Sequence, residues 1–475
     1  MMRDHALLFI TVALGLSACA SRPDIAPQAT LRDAASLGLS AAQHAAMPEA
    51  QWWREFDDPQ LNRLVEVALA SSPSLKIAQA RLARAQAAAA LTDAAGGPQL
   101  AASVDATRQH FTANGMIPPP LAGAIYTTAT AQLTGSWELD FFGKNRAALQ
   151  AALGNARAAQ AEADAARTLL ASQVARSYFQ LARLNDQLAL AQLLLAQREQ
   201  VQALVQERVN AGLDTQLELR QSETQLPQAR LQIQTLQEQM TLVRHALGAL
   251  IGQPDGALAL VPSALSAIKQ SVFSAAVPSD LLGRRADIVA ARWRVEAATQ
   301  ELGSAKAQFY PNVNLVAFAG FSSIGLDRLL GAGSEQWGIG PALRLPLFDA
   351  GRLRANLRGK SAELDAAIES YNAAVIDAVR DASDQIASGQ AIAQQQSQQH
   401  AALVLTESVQ AIARQRYQAG LATMLNVLAA ETALLNERRQ GVDLAARALD
   451  TEAALLRALG GGYRTESAVP ALPNK

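Results

Sequence analysis

Catalysis needs reactive side chains close together, and in this chain they are spread out. The five histidines, His5, His44, His110, His245 and His400, are far apart and show none of the short spacings that metal ligands adopt. No glycine-rich phosphate-binding loop occurs. Glu138 and Asp140 stand two residues apart, which puts both carboxylates on one face of a strand. Paired carboxylates can do general acid–base work, but a water-lined wall uses the same residues. The one cysteine, Cys19, excludes an intrachain disulfide framework and any multi-cysteine metal centre. A formal net charge of −1 leaves no basic excess for a nucleic-acid partner. The expectation is a chain with no catalytic site, no cofactor and no metal.

Cys19 itself sits in an informative place. Arg3 near the start is followed by the apolar run Ala6-Leu-Leu-Phe-Ile-Thr-Val-Ala-Leu-Gly-Leu16 and then by Leu16-Ser-Ala-Cys19. The run is shorter than the ~20 residues a helix needs to cross a bilayer, but it fits the core of a secretory signal peptide. Leu-Ser-Ala-Cys resembles a bacterial lipobox, in which the cysteine becomes the lipidated first residue after cleavage. Residues 1–18 are then a signal peptide and 19–58 a lipidated linker. Ala20 follows where an aspartate does not, which by resemblance to enterobacterial lipoproteins implies outer-membrane lipid. Stable anchoring takes more than one acyl chain, and this modification supplies that.

The elements that must position everything else are long. Ala147 to Ala211 runs without a proline and with one glycine, Gly154, before the turn Ala211-Gly212-Leu213. Arg354 to Ala419 does the same, with Gly359 and Gly389 inside, before Ala419-Gly420-Leu421. Each turn leads into a further helical segment, Gln216 to Leu250 and Leu425 to Leu459. At 1.5 Å per residue such a helix is about 100 Å long, against a mean of about 11–12 residues in globular domains. Half of the chain is hydrophobic, much of it alanine, and aromatics are 5%, a composition suited to close-packed long helices. Val174, Leu181, Leu188 and Leu195 recur every seven residues, with Leu184 and Ala191 between them, as a coiled-coil seam does.

Between the helices the period changes from 3.6 to 2. In Ala129 to Asp140 the positions Ala129, Ala131, Leu133, Gly135, Trp137 and Leu139 alternate with Thr130, Gln132, Thr134, Ser136, Glu138 and Asp140. In Gln99 to Gln109, Leu100, Ala102, Val104 and Ala106 alternate with Ser103, Asp105, Thr107 and Gln109. A third strand sets Val313, Leu315, Ala317, Ala319 and Phe321 against a less polar face of Asn312, Asn314, Val316 and Phe318. A fourth sets Trp337, Ile339, Leu343, Leu345 and Leu347 against Gly338, Gly340, Ala342 and Arg344, with Pro341 inside it. Ten-residue strands with apolar outward faces match transmembrane β-strands, which need about 9–11 residues. The same alternation also fits a soluble β-subdomain with one wet face. If the strands span a membrane, four cannot close a barrel and an open edge cannot lie in lipid, so the chain has to oligomerise.

The chain is a duplication. Gly212 and Gly420 stand 208 positions apart, as do Gly143 and Gly351, which follow the second and fourth strands. The expected layout is a first repeat over 59–252, with strands at about 99–109 and 129–140 and a tip at 211–213. A connector over 253–280, with Pro254, Pro262 and Pro278, leads to a second repeat over 281–460. That repeat has strands at about 312–322 and 337–347, a tip at 419–421, and a tail over 461–475.

Several motifs converge on one family. Trp53-Arg-Glu-Phe-Asp-Asp-Pro-Gln-Leu61, Val277-Pro-Ser-Asp-Leu-Leu-Gly-Arg-Arg-Ala-Asp-Ile288, Phe309-Tyr-Pro-Asn312 and Leu347-Phe-Asp-Ala-Gly351 resemble the signatures of the TolC-like outer-membrane efflux factors, in particular the NodT-type lipoprotein branch. One departure is Ala286, where the family carries proline at the start of a helix. The resemblance implies a membrane α+β fold: a homotrimeric duct with a twelve-stranded transmembrane β-barrel, four strands per chain, continued by a periplasmic α-helical barrel. It implies a passive exit channel of a tripartite pump, joined through a periplasmic adaptor to an inner-membrane transporter of the RND type. Ala211, Gly212, Leu213, Ala419, Gly420 and Leu421 would be the adaptor-docking tips. In that family a tyrosine and aspartates constrict the closed tunnel. Tyr417 matches the tyrosine, Asn426 and Ala429 stand where the aspartates would be, and Glu218 occupies the corresponding place in the first repeat. The competing expectation is a periplasmic structural or adaptor lipoprotein, but an adaptor has one hairpin between soluble β-domains, and this chain has two hairpins.

Overall fold

The computed structural model describes residues 25–32, 49–257, 259–270, 283 and 285–463. The signal-peptide region, Cys19 and the last residues of the tail lie outside them. Helices α1 (Pro59–Ser71) and α2 (Pro73–Gly96) lead into strands β1 (Gln99–His110) and β2 (Ile125–Leu139). Helices α3 (Lys144–Asn210) and α4 (Gln216–Leu250) follow. The second half runs α5 (Ala286–Ala307), β3 (Asn312–Ile324), β4 (Glu335–Arg344), α6 (Arg352–Gln418) and α7 (Met424–Ala458). Helices α3 and α6 have 67 residues each, and α4 and α7 have 35 each. No described helix is long and apolar enough to cross a membrane. The chain divides into two compact units, with α2, α3, α5 and α6 contributing to both.

The first unit contains the sheet. Its four strands are antiparallel in the order β1-β2-β3-β4, so the two repeats meet where β2 pairs with β3. The register aligns Val104 with Ala131 and Phe321, Leu133 with Ala319 and Trp337, and Leu139 with Val313 and Leu343. Every apolar alternate set therefore falls on one face. Leu100, Val104, Trp337, Ile339 and Leu343 are all more than 60% exposed there, which marks a surface meant for something other than water. β4 stops at Arg344, short of the expected 347, because Pro346 has no N–H to give to a ladder. Pro341 is accommodated on β4, the outermost strand of the sheet, opposite Leu315. At the strand-to-helix corner Lys144 Nζ lies 2.5 Å from Glu138, and Asp140 accepts from the Arg146 backbone N–H at 2.8 Å. Those carboxylates fix a corner. Behind it, Val295, Leu302 and Ala305 of α5 pack on Leu357, Leu364 and Ile368 of α6.

The second unit is helical. Its core gathers Trp52, Trp53 and Phe56 with Val174, Tyr178, Phe179, Leu181 and Leu184 of α3 and Met240 and Leu247 of α4. Leu188 and Leu195 pack against it, so the heptad seam faces the core. The Trp53-to-Leu61 motif proves to be a fastening. Asp58 caps α1 by accepting from the N–H groups of Gln60 and Leu61, Pro59 opens the helix, and Tyr178 donates its hydroxyl to Asp58 at 2.8 Å. Arg285 plays the same part for α5. It grips Asp287 through Nε at 3.0 Å and Nη2 at 2.7 Å and reaches Asp381 at 3.2 Å. Ala286, where the family has proline, is the first residue of α5.

Candidate functional site

The tips of the two helical hairpins hold the residues singled out from the sequence, and both lie in the second unit. α3 ends because Gly212 takes φ +71°, with Leu213 N–H donating to Arg208 C=O at 2.8 Å and Gly212 N–H to Val209 C=O at 3.0 Å. α6 ends identically. Gly420 takes φ +73°, Leu421 N–H donates to Arg416 C=O at 2.8 Å, and Gly420 N–H donates to Tyr417 C=O at 2.9 Å. This pair of bonds is the Schellman closure, and it requires a left-handed residue that glycine supplies without strain. A Cβ at either glycine would meet nothing within 4 Å. Both turns thus present bare backbone, flanked by exposed leucines at equivalent positions: Leu213 and Leu217, Leu421 and Leu425.

The tips are not symmetric behind those leucines. Tyr417 of α6 is buried with Val205 of α3, Leu219 of α4, and Met424 and Val427 of α7, so all four hairpin helices contribute. Its hydroxyl donates to Asp214 Oδ2 at 2.8 Å. Arg208 holds the same carboxylate with two bonds, Nε to Oδ2 at 2.9 Å and Nη2 to Oδ1 at 3.1 Å, and its Cζ lies 4.6 Å from the Tyr417 ring centroid. The Arg208 hydrogen bond, joined by that of Tyr417, holds the Asp214 carboxyl below the usual carboxylate range. Burial first, then donation to Asp214, pushes the Tyr417 phenol up to about 12. Asp214 is therefore a carboxylate and Tyr417 a neutral donor at neutral pH, the pairing the contact needs.

Among the residues singled out from the sequence, Tyr417 lies in this contact and Glu218 does not. Glu218 is half-buried and bound to its own helix start, accepting from the Thr215 backbone N–H at 2.9 Å and from the Thr215 hydroxyl. That hydrogen bonding holds its carboxyl below the usual range. Asn426 sits at the matching position of α7 and bonds the Thr423 hydroxyl at 2.7 Å. The residue overlooked is Asp214. Its signal was the Arg208-to-Asp214 spacing across the turn, which the second repeat lacks, because Ala422 stands in the place of Asp214. Among the described residues no group of three or more His, Cys, Asp or Glu gathers where a metal could be held.

Comparison with known proteins decides what this geometry belongs to. The sequence matches the outer membrane efflux protein family over residues 64–253 and 277–461, so the match takes in both hairpins and all four strands. The chain belongs to that family. It is 35% identical over 439 residues to the multidrug resistance outer membrane protein MdtQ of Escherichia coli O6:H1, covering 90% of this chain and 91% of that one. It is also 35% identical over 465 residues to MdtP of the same organism, covering 94% of each. The outer membrane protein VceC of Vibrio cholerae superposes with a TM-score of 0.83 at 38% identity, over 88% of this chain and 100% of that one. The outer-membrane channel OprN superposes with a TM-score of 0.82 at 27% identity, over 93% of this chain and 97% of that one. This efflux-family chain is an outer-membrane channel of TolC-like fold.

Proposed function

We propose that three copies of the chain close one duct, with twelve strands spanning the outer membrane and the hairpins forming a periplasmic tunnel. The observation that carries this is the sheet. It has one face whose central rows, from Val104 and Ala131 to Leu139 and Leu343, are apolar, and two unpaired edges, β1 and β4. In lipid an unpaired edge leaves backbone groups unsatisfied at a cost of several kcal/mol each, and the smallest membrane barrels need about eight strands. Three four-stranded sheets remove every edge.

The chain then acts as a passive exit channel. Its matched tips, with their bare turns and the exposed leucines Leu213 and Leu421, dock a periplasmic adaptor, which joins it to an inner-membrane transporter of the RND type. Cys19 carries the lipid that adds a second hold on the membrane, and Tyr417 with Asp214 forms part of the tunnel's closure. The names of MdtQ and MdtP suggest small drug-like molecules as cargo. Changing Leu213 and Leu421 together to Asp tests the docking. Export in cells should be lost while the amount and assembly of the protein in the outer membrane stay unchanged. Full export by that variant would remove the tips from the docking role.

A further inference from the structure

The face of the sheet opposite the lipid-facing one is polar in only half of its width. On β1 and β2 it carries Gln99, Ser103, Asp105, Thr107, Gln132, Thr134, Ser136 and Glu138, with Ala101 the exception. Across β3 and β4 the register continues these rows with apolar groups. Ser136 is followed by Val316 and Gly340, and Thr134 by Phe318 and Gly338. Below them Glu138 is followed by Asn314 and Ala342. Above them the row is polar again, with Gln336 donating to Gln132 at 3.2 Å across Gly320. Val316, Phe318, Gly338, Gly340 and Ala342 therefore form a bounded apolar stripe on an otherwise wet face.

Phe318 is held in that stripe. A methyl group built on Gly338 would come within 2.7 Å of Phe318 Cε1 and 2.9 Å of Cζ, so the ring lies against the β4 backbone in the room the glycine leaves. One side of the ring is thereby fixed, and the residue still exposes 38% of its surface. A pre-positioned aromatic face loses little freedom on meeting a second ring, which favours contact with aromatic solutes.

We propose that this stripe is a specificity element of the duct, which retains amphiphilic cargo bearing an aromatic group during its passage. The proposal rests on the reading that three sheets close a barrel with this face inward. The wall then alternates three polar strips with three apolar ones, and a molecule with a polar and an aromatic part meets a matching surface for each. Cargo confined to the lumen has to pass this wall, so the contact follows from geometry.

The test is single-channel recording of the full-length assembled protein with phenyl-β-D-glucoside or glucose as the probe. Phenyl-β-D-glucoside should interrupt the current of the unaltered channel, and glucose should not. The dwell time should fall about 2- to 10-fold in Phe318→Gln, the range a lost aromatic contact gives, and persist in Phe318→Leu to a greater degree. Val316→Thr is nearly isosteric and keeps the test available if Phe318→Gln fails to assemble; it too should shorten the dwell. Unchanged dwell in an assembled, conducting Phe318→Gln or Val316→Thr channel would overturn the stripe and leave the duct intact. A preparation of the unaltered protein that conducts nothing would overturn both.

Discussion

Tyr417 of the second hairpin donates its hydroxyl to Asp214 of the first at 2.8 Å, while Arg208 grips the same carboxylate and covers the tyrosine ring. One carboxylate thus joins two hairpins whose residues are about half the chain apart in sequence. Phe at 417 removes the donor and keeps the ring, and Asn at 214 removes the charge. Each should cost the tip about 1.5–3 kcal/mol, the worth of a hydrogen bond to a charged group. The expected readout is a larger or more frequently open conductance in planar bilayers and greater entry of solutes that the outer membrane excludes. Conductance unchanged in both variants would show that the contact shapes the tip without closing it.

The same contact sets a pH dependence. The Asp214 carboxyl is lowered in the folded tip relative to its ordinary value, so its stabilising contribution is full above the ordinary carboxylate range. It is lost as the pH falls through the depressed value. Tyr417, raised to about 12, stays a donor throughout neutral and acidic conditions. Opening should therefore rise in strong acid, and Asp214→Asn, with no carboxylate to protonate, should be insensitive over that window. Equal acid responses in the two proteins would place the titrating group elsewhere.

Gly212 and Gly420 offer a test of backbone strain with little crowding, since a Cβ at either would touch nothing within 4 Å. Val at either position should cost roughly 1–2 kcal/mol through its positive φ alone, while Asn, which tolerates that region, should cost less. Val variants should lose export with normal outer-membrane levels, and Asn variants should retain most of it. Equal losses for Val and Asn would assign the effect to the side chain and not to the turn.

Glu431 on α7 is buried, and its Oε2 meets no hydrogen-bond donor. Burial raises its pKa above the ordinary carboxyl value despite the attraction of Arg198 and Arg414. A raised folded-state value means that its contribution to stability is full below the ordinary value and is lost as the pH rises through the raised one. Glu431→Gln should therefore melt higher than the unaltered protein at pH 8, with the gap closing towards pH 4. A gap that widens in acid would contradict the sign.

Cys19→Ser should abolish labelling by radioactive palmitate and weaken membrane retention after the barrel is loosened in detergent. Labelling that survives the change would show that the Leu16-to-Cys19 motif is not a lipobox.

Much of this architecture could be read from residue order because its signals are periodic. Sixty-seven residues without a helix-ending proline, an alternation of two over ten positions, and matched glycines after each strand pair and each long helix are local patterns. The partnering of β2 with β3 was not legible, since it joins the two repeats across the whole first hairpin and no local pattern encodes it. The contact at the tip was half legible. Tyr417 stood out, but its partner Asp214 belongs to the other repeat and has no counterpart in its own, so a search at equivalent positions led to Glu218. A Thr215-to-Glu218 capping box accounts for that carboxylate at the start of α4.

The central claim is that the four-stranded sheet is one third of a closed pore. The most direct measurement is the mass of the detergent-extracted complex taken together with its conductance in a planar bilayer. The account predicts a particle of three chains that conducts ions. A monomer that conducts nothing would contradict it.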